Sequence, residues 1–313
     1  MNHLNDITGP SSERPNASHK RFFAFRGFMK SGTNWVSQLL NLHPDISCVG
    51  ELHLHSIYET VQADMRKLSI MENRQLREND HGTTLGHGSQ VRRVVRANLQ
   101  AMLRQTLTDL ADPQATVIGE RTPHTLQPLI IKGAPQITLI RDARDVLISR
   151  FFHLYNFPQV SRVFQRFPEL QPRLEAFQAN RWYFREHPEQ LLATEEMVRE
   201  SMRWWREHLE SDRRTQATHP ALRVLTMKYE ETHANVELCC RQMYEFLDVD
   251  PQLAERIPDF LKPGLKQERP TEFNRKGQVG DWRNYVFDDA KQWIKEEVGE
   301  ELIRQGYEST NDW

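Results

Sequence analysis

Arg21-Phe22-Phe23-Ala24-Phe25-Arg26-Gly27-Phe28-Met29-Lys30-Ser31-Gly32-Thr33-Asn34-Trp35 decides the fold. The apolar run Phe22–Phe25 predicts a β-strand. After a short turn carrying Lys30 and Gly32, the residues Trp35, Val36, Leu39, Leu40 and Leu42 recur at helical spacing. Ser31 is the candidate cap of that helix, which stops before Pro44. A strand, a turn with Lys and Gly, and then an amphipathic helix form an arrangement that holds a phosphate. Backbone N–H groups at the helix start point at the anion, and the lysine adds a full charge.

Working outward, Ile46–Val49 reads as a second strand, Thr116–Ile118 as a third, Gln136–Ile140 as a fourth and Leu222–Met227 as a fifth. Helical spacing covers Val91–Leu110, the stretch after the candidate cap Asp142, 160–212, 235–247 and 288–305, the last ending near Gly306. The fourth strand is almost wholly apolar, as a strand covered on both faces should be. Strands alternating with helices predict an α/β fold: a P-loop-like, three-layer arrangement with a central parallel sheet and helices on both faces. Residues 21–313 read as one domain behind a polar, disordered tail at 1–20. A polar, Gly-rich loop is expected at 75–90 and a basic one near 262–282.

The bulk composition narrows the function classes. Lys+Arg numbers 41 and Asp+Glu 43, a net charge of −2. That balance argues against a nucleic-acid partner while leaving room for a local basic pocket. No apolar run approaches the ~20 residues that span a bilayer, so no membrane partner is expected. The first twenty residues lack the apolar core of a secretory signal. Cys48, Cys239 and Cys240 read as small buried hydrophobes in a reducing compartment, which points to the cytoplasm.

The turn is not an ATP loop. The ATP-binding pattern is G-x-x-x-x-G-K-[ST]; here Lys30 precedes Gly32, and Gly27 stands at the wrong spacing. The strand Gln136–Ile140 leads into Arg141, a cation where a magnesium-nucleotide enzyme would want a carboxylate. Lysine and arginine without a metal suit an organic phosphate-sulfate.

At this point Lys30-Ser31-Gly32-Thr33-Asn34-Trp35 resembles the 5′-phosphosulfate loop of the sulfotransferases that use PAPS (3′-phosphoadenosine 5′-phosphosulfate), with Met29 where the family usually has proline. Arg141-Asp142-Ala143-Arg144-Asp145-Val146-Leu147-Ile148-Ser149 resembles the family's 3′-phosphate motif. In that motif an arginine and a serine two helical turns later hold the phosphate, here Arg141 and Ser149. Arginine offers charge-assisted, bidentate bonds to phosphate, and Arg144 and Asp145 are expected to be solvated. Arg275-Lys276-Gly277-Gln278-Val279-Gly280-Asp281-Trp282 is similar to the family's segment that closes over the 3′-phosphate and adenine. Lys228-Tyr229-Glu230-Glu231 resembles its tyrosine-acidic segment. The resemblance runs from about residue 21 to 290.

It implies a sulfotransferase that moves SO₃ from PAPS to a hydroxyl or amine of a small-molecule or glycan acceptor and releases PAP (3′,5′-adenosine bisphosphate), with no metal. It implies nucleotide contacts at Lys30, Ser31, Gly32, Thr33, Asn34, Trp35, Arg141, Ser149, Tyr229, Arg275, Lys276 and Gly277, with Trp35 either facing adenine or packing its own helix. Lys30 would neutralise the leaving phosphate. Three groups compete for the acceptor's proton. Glu51 matches the glutamate of the tyrosylprotein and bacterial branches, unless it serves only as a salt bridge to Arg121. His124 lies one residue late for the cytosolic branch's histidine, and His53 is the third. The pairs His53/His55 and His81/His87 show no third metal ligand in the sequence. The aromatic-rich segment 151–184 and the loop 56–90 are expected to shape the acceptor pocket. Two rival classes stay open, a P-loop kinase and a non-catalytic PAP-binding protein, and the oligomeric state is unknown.

Overall fold

The structure, a computed structural model, describes residues 20–78, 88–128, 130–160, 162–192, 194–263 and 277–313. The expected tail lies almost wholly outside the described residues. All five expected strands form one sheet: β1 (Arg21–Gly27), β2 (Ile46–Val49), β3 (Val117–Thr122), β4 (Gln136–Ile140) and β5 (Val224–Lys228). Their order is β2-β3-β1-β4-β5 and every pairing is parallel. The chain leaves β1 for one side of the sheet, returns through β3, and crosses to β4 on the other side. That reversal places a crevice at the carboxyl ends of β1, β3 and β4, where open α/β sheets hold ligands.

The helices are α1 (Thr33–Leu40), α2 (Leu54–Glu78), α3 (Gly88–Leu110), α4 (Ala143–Asn156), α5 (Val163–Arg166), α6 (Gln171–Ala179), α7 (Tyr183–Glu186), α8 (Glu195–Thr218), α9 (Tyr229–Ala234), α10 (Val236–Phe246) and α11 (Asp288–Arg304). Alternation along β1 decides which of them cover which face. Phe23 and Phe25 pack with Val36 and Leu39 of α1 and Met243 and Tyr244 of α10. Phe22 packs on the opposite face with Leu103 and Leu107 of α3. A third apolar cluster joins α4, α8 and α11 through Val146, Phe151, Trp205 and Ile294.

Several expectations needed correction. The span 160–212 is not one helix. Prolines at 168 and 188 each open a short 3₁₀ turn, and the chain zigzags through α5, α6 and α7 before the long α8. Helix α2 runs to Glu78 and α3 begins at Gly88, so helix replaces both ends of the loop expected at 75–90. β3 extends to Thr122, which puts Glu120 and Arg121 in the strand. Ser31 does not cap α1: the cap position is Gly32 at φ 95, a left-handed conformation that glycine adopts without steric penalty. Asp142 does cap α4, accepting a bond from the Arg144 N–H at 2.9 Å.

Candidate active site

Each strand of the sheet ends in residues that meet at one cavity of about 400 Å³. After β1 come Lys30, Gly32, Thr33, Asn34 and Trp35; after β2, Glu51; at the end of β3, Arg121; after β4, Arg141; after β5, Tyr229. All of them line the cavity, as do Ser149, His153 and Gly277.

The loop after β1 is held tightly. Lys30 has φ 68, and the Ser31 N–H donates to the Phe28 carbonyl at 3.1 Å. Ser31 itself is fully buried and lies off the cavity, so only its backbone serves the loop. A Cβ on Gly32 would come within 2.5 Å of the Tyr229 ring, so this position needs glycine twice over. Trp35 packs edge-on to Tyr229 at 5.4 Å and donates from Nε1 to the Leu261 carbonyl. It therefore lines the cavity and ties α1 to α9 and to the turn at Leu261 at once.

Arg141 is the second cation. Its guanidinium donates to the Lys30 carbonyl at 3.3 Å and the Gln278 carbonyl at 3.1 Å, and lies 4.3 Å from the centre of the Tyr229 ring. Its Nε is buried with no hydrogen-bond partner, which suits an anionic ligand. Burial, reinforced by Arg141, lowers Lys30 from 10.5 to about 8, against the raising effect of Glu51. Lys30 thus sits in the fields of both groups.

The segment from Gly277 is docked rather than merely solvated. The Tyr229 hydroxyl donates to the Gly277 carbonyl at 2.8 Å, and Asp145 accepts from the N–H groups of Gly280 (2.7 Å) and Trp282 (2.9 Å). Arg275 and Lys276 lie outside the described residues. Asp145 and Arg144, expected in solvent, are both buried, which corrects that reading. Arg144 pairs with Asp142 and Glu308 and lies between Trp282 and Trp313, 3.9 and 4.4 Å from the ring centres. The reason is tertiary: the returning segment and the C-terminus close over the start of α4.

The three base candidates separate. Glu51 faces the cavity, its carboxylate accepting from Arg121 at 2.7 Å; the ion pair and the cavity position coexist. The turn that carries it is fixed by Glu120, whose buried carboxylate accepts from the N–H groups of Leu52 and Leu54. His124 does not line the cavity. It packs against His55, ring centres 3.2 Å apart, with His53 at 6.2 Å. Burial, helped by His55 and Arg26, pushes His124 down to about 4. The fold brings a third histidine to the first pair, so that His53, His55 and His124 form one cluster. The other pair, His81 and His87, lies outside the described residues.

Sequence reasoning missed His153. It lines the cavity one helical turn after Ser149, and burial together with Lys30 and Arg150 pushes it down to about 4. The i, i+4 spacing from Ser149 was the available signal. The acceptor side departs from expectation. Phe152 and Phe157 line the cavity, but Phe164, Phe177 and Phe184 pack into the core. No described residue of 56–90 reaches it. No helix among the described residues is long and apolar enough to cross a membrane.

The sulfotransferase domain model matches residues 25–305. Comparison with curated protein sequences finds no match. Among solved structures the chain is similar to mouse sulfotransferase SULT7A1 complexed with PAP, at 16% identity over 93% of this chain and 88% of that one, with a TM-score of 0.46. It is similar also to sulfotransferase STF9 from Mycobacterium avium (13%, 91% and 77%, TM-score 0.45) and to a sulfotransferase from Alicyclobacillus acidocaldarius (18%, 91% and 96%, TM-score 0.41).

Proposed function

The chain belongs to the sulfotransferase domain family and is an enzyme of sulfuryl transfer, and on that premise we propose that PAPS is its donor, held between Lys30 and Arg141, with Glu51 as the base. The observation that carries this reading is the convergence of Lys30, Arg141 and the Arg121-paired Glu51, from separate strand ends, on a single cavity. Lys30 with the first turn of α1 takes the 5′-phosphosulfate end. Arg141 and Ser149, with Gly277, take the 3′-phosphate. Trp35 and Tyr229 supply aromatic faces for the base. The partnerless Nε of Arg141 supports the fit.

Transfer is an in-line displacement. The acceptor oxygen or nitrogen bonds to sulfur as the bond from sulfur to the bridging oxygen breaks, and the electron pair stays on the phosphate. Lys30 neutralises the charge that develops on the leaving oxygen. Glu51, oriented by Arg121, takes the acceptor's proton. The charges needed are provided by side chains, so this reading assigns no metal to the transfer step. The apolar wall of Ile148, Phe152 and Phe157 favours a small acceptor with a ring or chain beside its reacting hydroxyl or amine. The buried free thiols Cys48, Cys239 and Cys240 support the cytoplasm as the compartment.

The test is a thermal-shift comparison of PAP, Mg-ATP and NAD, followed by Glu51→Gln. PAP alone should stabilise the chain. Glu51→Gln should lower kcat by about 100-fold or more while PAP still binds. Stabilisation by Mg-ATP alone would favour a kinase and overturn the donor. Full activity in Glu51→Gln would overturn the base.

A further inference from the structure

Three imidazoles meet just outside the cavity, where the β2–α2 turn faces the segment that follows β3. One ring nitrogen from each of His53, His55 and His124 lies within 4.8 Å of the other two. The His55 and His124 rings are 3.2 Å apart between centres, tilted by 36°, and His53 is 6.1 and 6.2 Å from them. Nδ1 of His55 and Nε2 of His124 are buried and have no hydrogen-bond partner. His55 is only 7% exposed, and its other nitrogen, Nε2, shares a hydrogen bond with the Ser56 hydroxyl at 3.0 Å. That bond to Nε2 can fix the tautomer that leaves the Nδ1 lone pair available, the outer-shell arrangement that metal-bound histidines use. Neither the phosphate loop nor the proposed base needs these three rings, and packing alone gives no reason for their buried nitrogens to go unpaired.

We propose that His53, His55 and His124 form a binding site for a late divalent metal ion, Zn²⁺ first among them, with a fourth position open to solvent. Three neutral imidazoles are a donor set that zinc takes readily, and the harder Mg²⁺ does not. Zn–N bonds of about 2.0–2.1 Å place tetrahedral nitrogens roughly 3.3 Å apart, so taking up the ion parts the close His55 and His124 rings and draws the His53 ring in. His53, exposed at the surface, gives the ion its way in. Charge around the cluster is mixed. The buried guanidinium of Arg26 opposes a cation, while the carboxylates of Glu59 and Glu120 favour one. Glu120 also bonds the N–H groups of Leu52 and Leu54 on either side of His53, so it steadies the turn that presents that ligand.

The ion would clip two segments that are 71 residues apart, from His53 to His124. Glu51 lies two residues before the first of these, and Arg121 three before the second. The clip therefore spans the two backbones that carry the Glu51–Arg121 ion pair and would hold that pair in register beside the cavity.

The experiment uses the full chain, purified without a histidine tag and stripped with chelator. Co²⁺ is titrated in while its visible absorption is followed, and Zn²⁺ binding is measured by calorimetry. One equivalent of Co²⁺ should give a tetrahedral spectrum that Zn²⁺ abolishes. His55→Asn and His124→Asn should each weaken binding by about 100-fold or more. His187→Asn, an exposed histidine on another part of the surface, should not. X-ray absorption of the zinc-loaded wild-type chain should show three imidazole nitrogens, which tests the site even if a variant misfolds. Absence of stoichiometric binding of either ion would overturn the proposal. So would affinity undiminished in the His53/His55/His124 triple Asn variant, or a ligand shell containing sulfur.

Discussion

If Lys30 holds the donor as proposed, donor binding has a pH dependence that can be worked out in advance. Burial, then the Arg141 guanidinium, lowers it from 10.5 to about 8 despite the Glu51 carboxylate. The ammonium is the form that binds an anion. A phosphate against it restores the charged state and lifts its pKa again. Affinity for PAP is therefore full below pH 8 and falls as pH rises through 8, toward tenfold per unit, because binding then requires proton uptake. If binding returns Lys30 to 10.5, the coupling is 2.5 pKa units at 1.36 kcal/mol each, about 3 kcal/mol. The same limit gives a loss on the order of tenfold or more between pH 7 and 9.5. Other shifted groups lining the cavity stay silent in that window: burial pushes His153 down to about 4, lowers His233 from its ordinary 6.5 and raises Tyr229 above its ordinary 10. The ligand's phosphate, with a second pKa of about 6, is already ionised. The assay is calorimetric titration with PAP from pH 7 to 9.5 in two buffers of different ionisation enthalpy, which counts the protons taken up. Lys30→Gln should bind more weakly and lose the slope. A flat wild-type profile, or an equal slope in Lys30→Gln, would refute the assignment of Lys30 to the phosphate.

Arg141→Ala should weaken PAPS by about 10- to 100-fold, the range set by losing a charged hydrogen bond of roughly 1.5–3 kcal/mol. It should leave adenosine 5′-phosphosulfate, which lacks the 3′-phosphate, almost unaffected in a competition assay; equal losses would remove Arg141 from the 3′ end. Gly32→Ala should destabilise the chain by about 3 kcal/mol in urea. That figure joins the left-handed penalty of ~1–2 kcal/mol to the loss of the Tyr229 hydrogen bond, worth about 1 kcal/mol, because the new Cβ displaces a ring anchored at Gly277. A change under about 0.5 kcal/mol would show that the ring moves freely. Asp145→Asn puts an amide where two backbone N–H groups converge, so one of those bonds is lost. Stability and PAP affinity should fall together, and an unchanged PAP affinity would mean that the Gly280–Trp282 docking does not shape the site.

Much was legible before any coordinates, and for one reason: the features read were local. Strand β4 matched its expected limits because Ile137, Leu139 and Ile140, with β-branched Thr138 between them, suit a strand covered on both faces. Asp142 works as a cap because capping is settled within three residues. The Lys30–Gly32 turn stands out in its own order of residues, and the structure places it at the cavity. Where locality failed, so did the reading. Ser31 looked like a cap, but the turn seats Gly32 there and buries the serine.

The chain's order of residues by itself was enough for the parallel α/β sheet and for the likeness to the sulfotransferase family, and it marked Lys30 and Arg141 as the cations of the proposed donor site, since periodicity and short motifs act over a few residues. Tertiary structure decided the rest. It brought Gly280 to Asp145 across 135 positions and Arg121 to Glu51 across 70, buried Arg144 between two tryptophans, turned His153 into the cavity and His124 away from it, and gathered three histidines from two segments. Those outcomes depend on which strand lies beside which. Sheet order is fixed by packing distant segments into one core, and no local pattern encodes it.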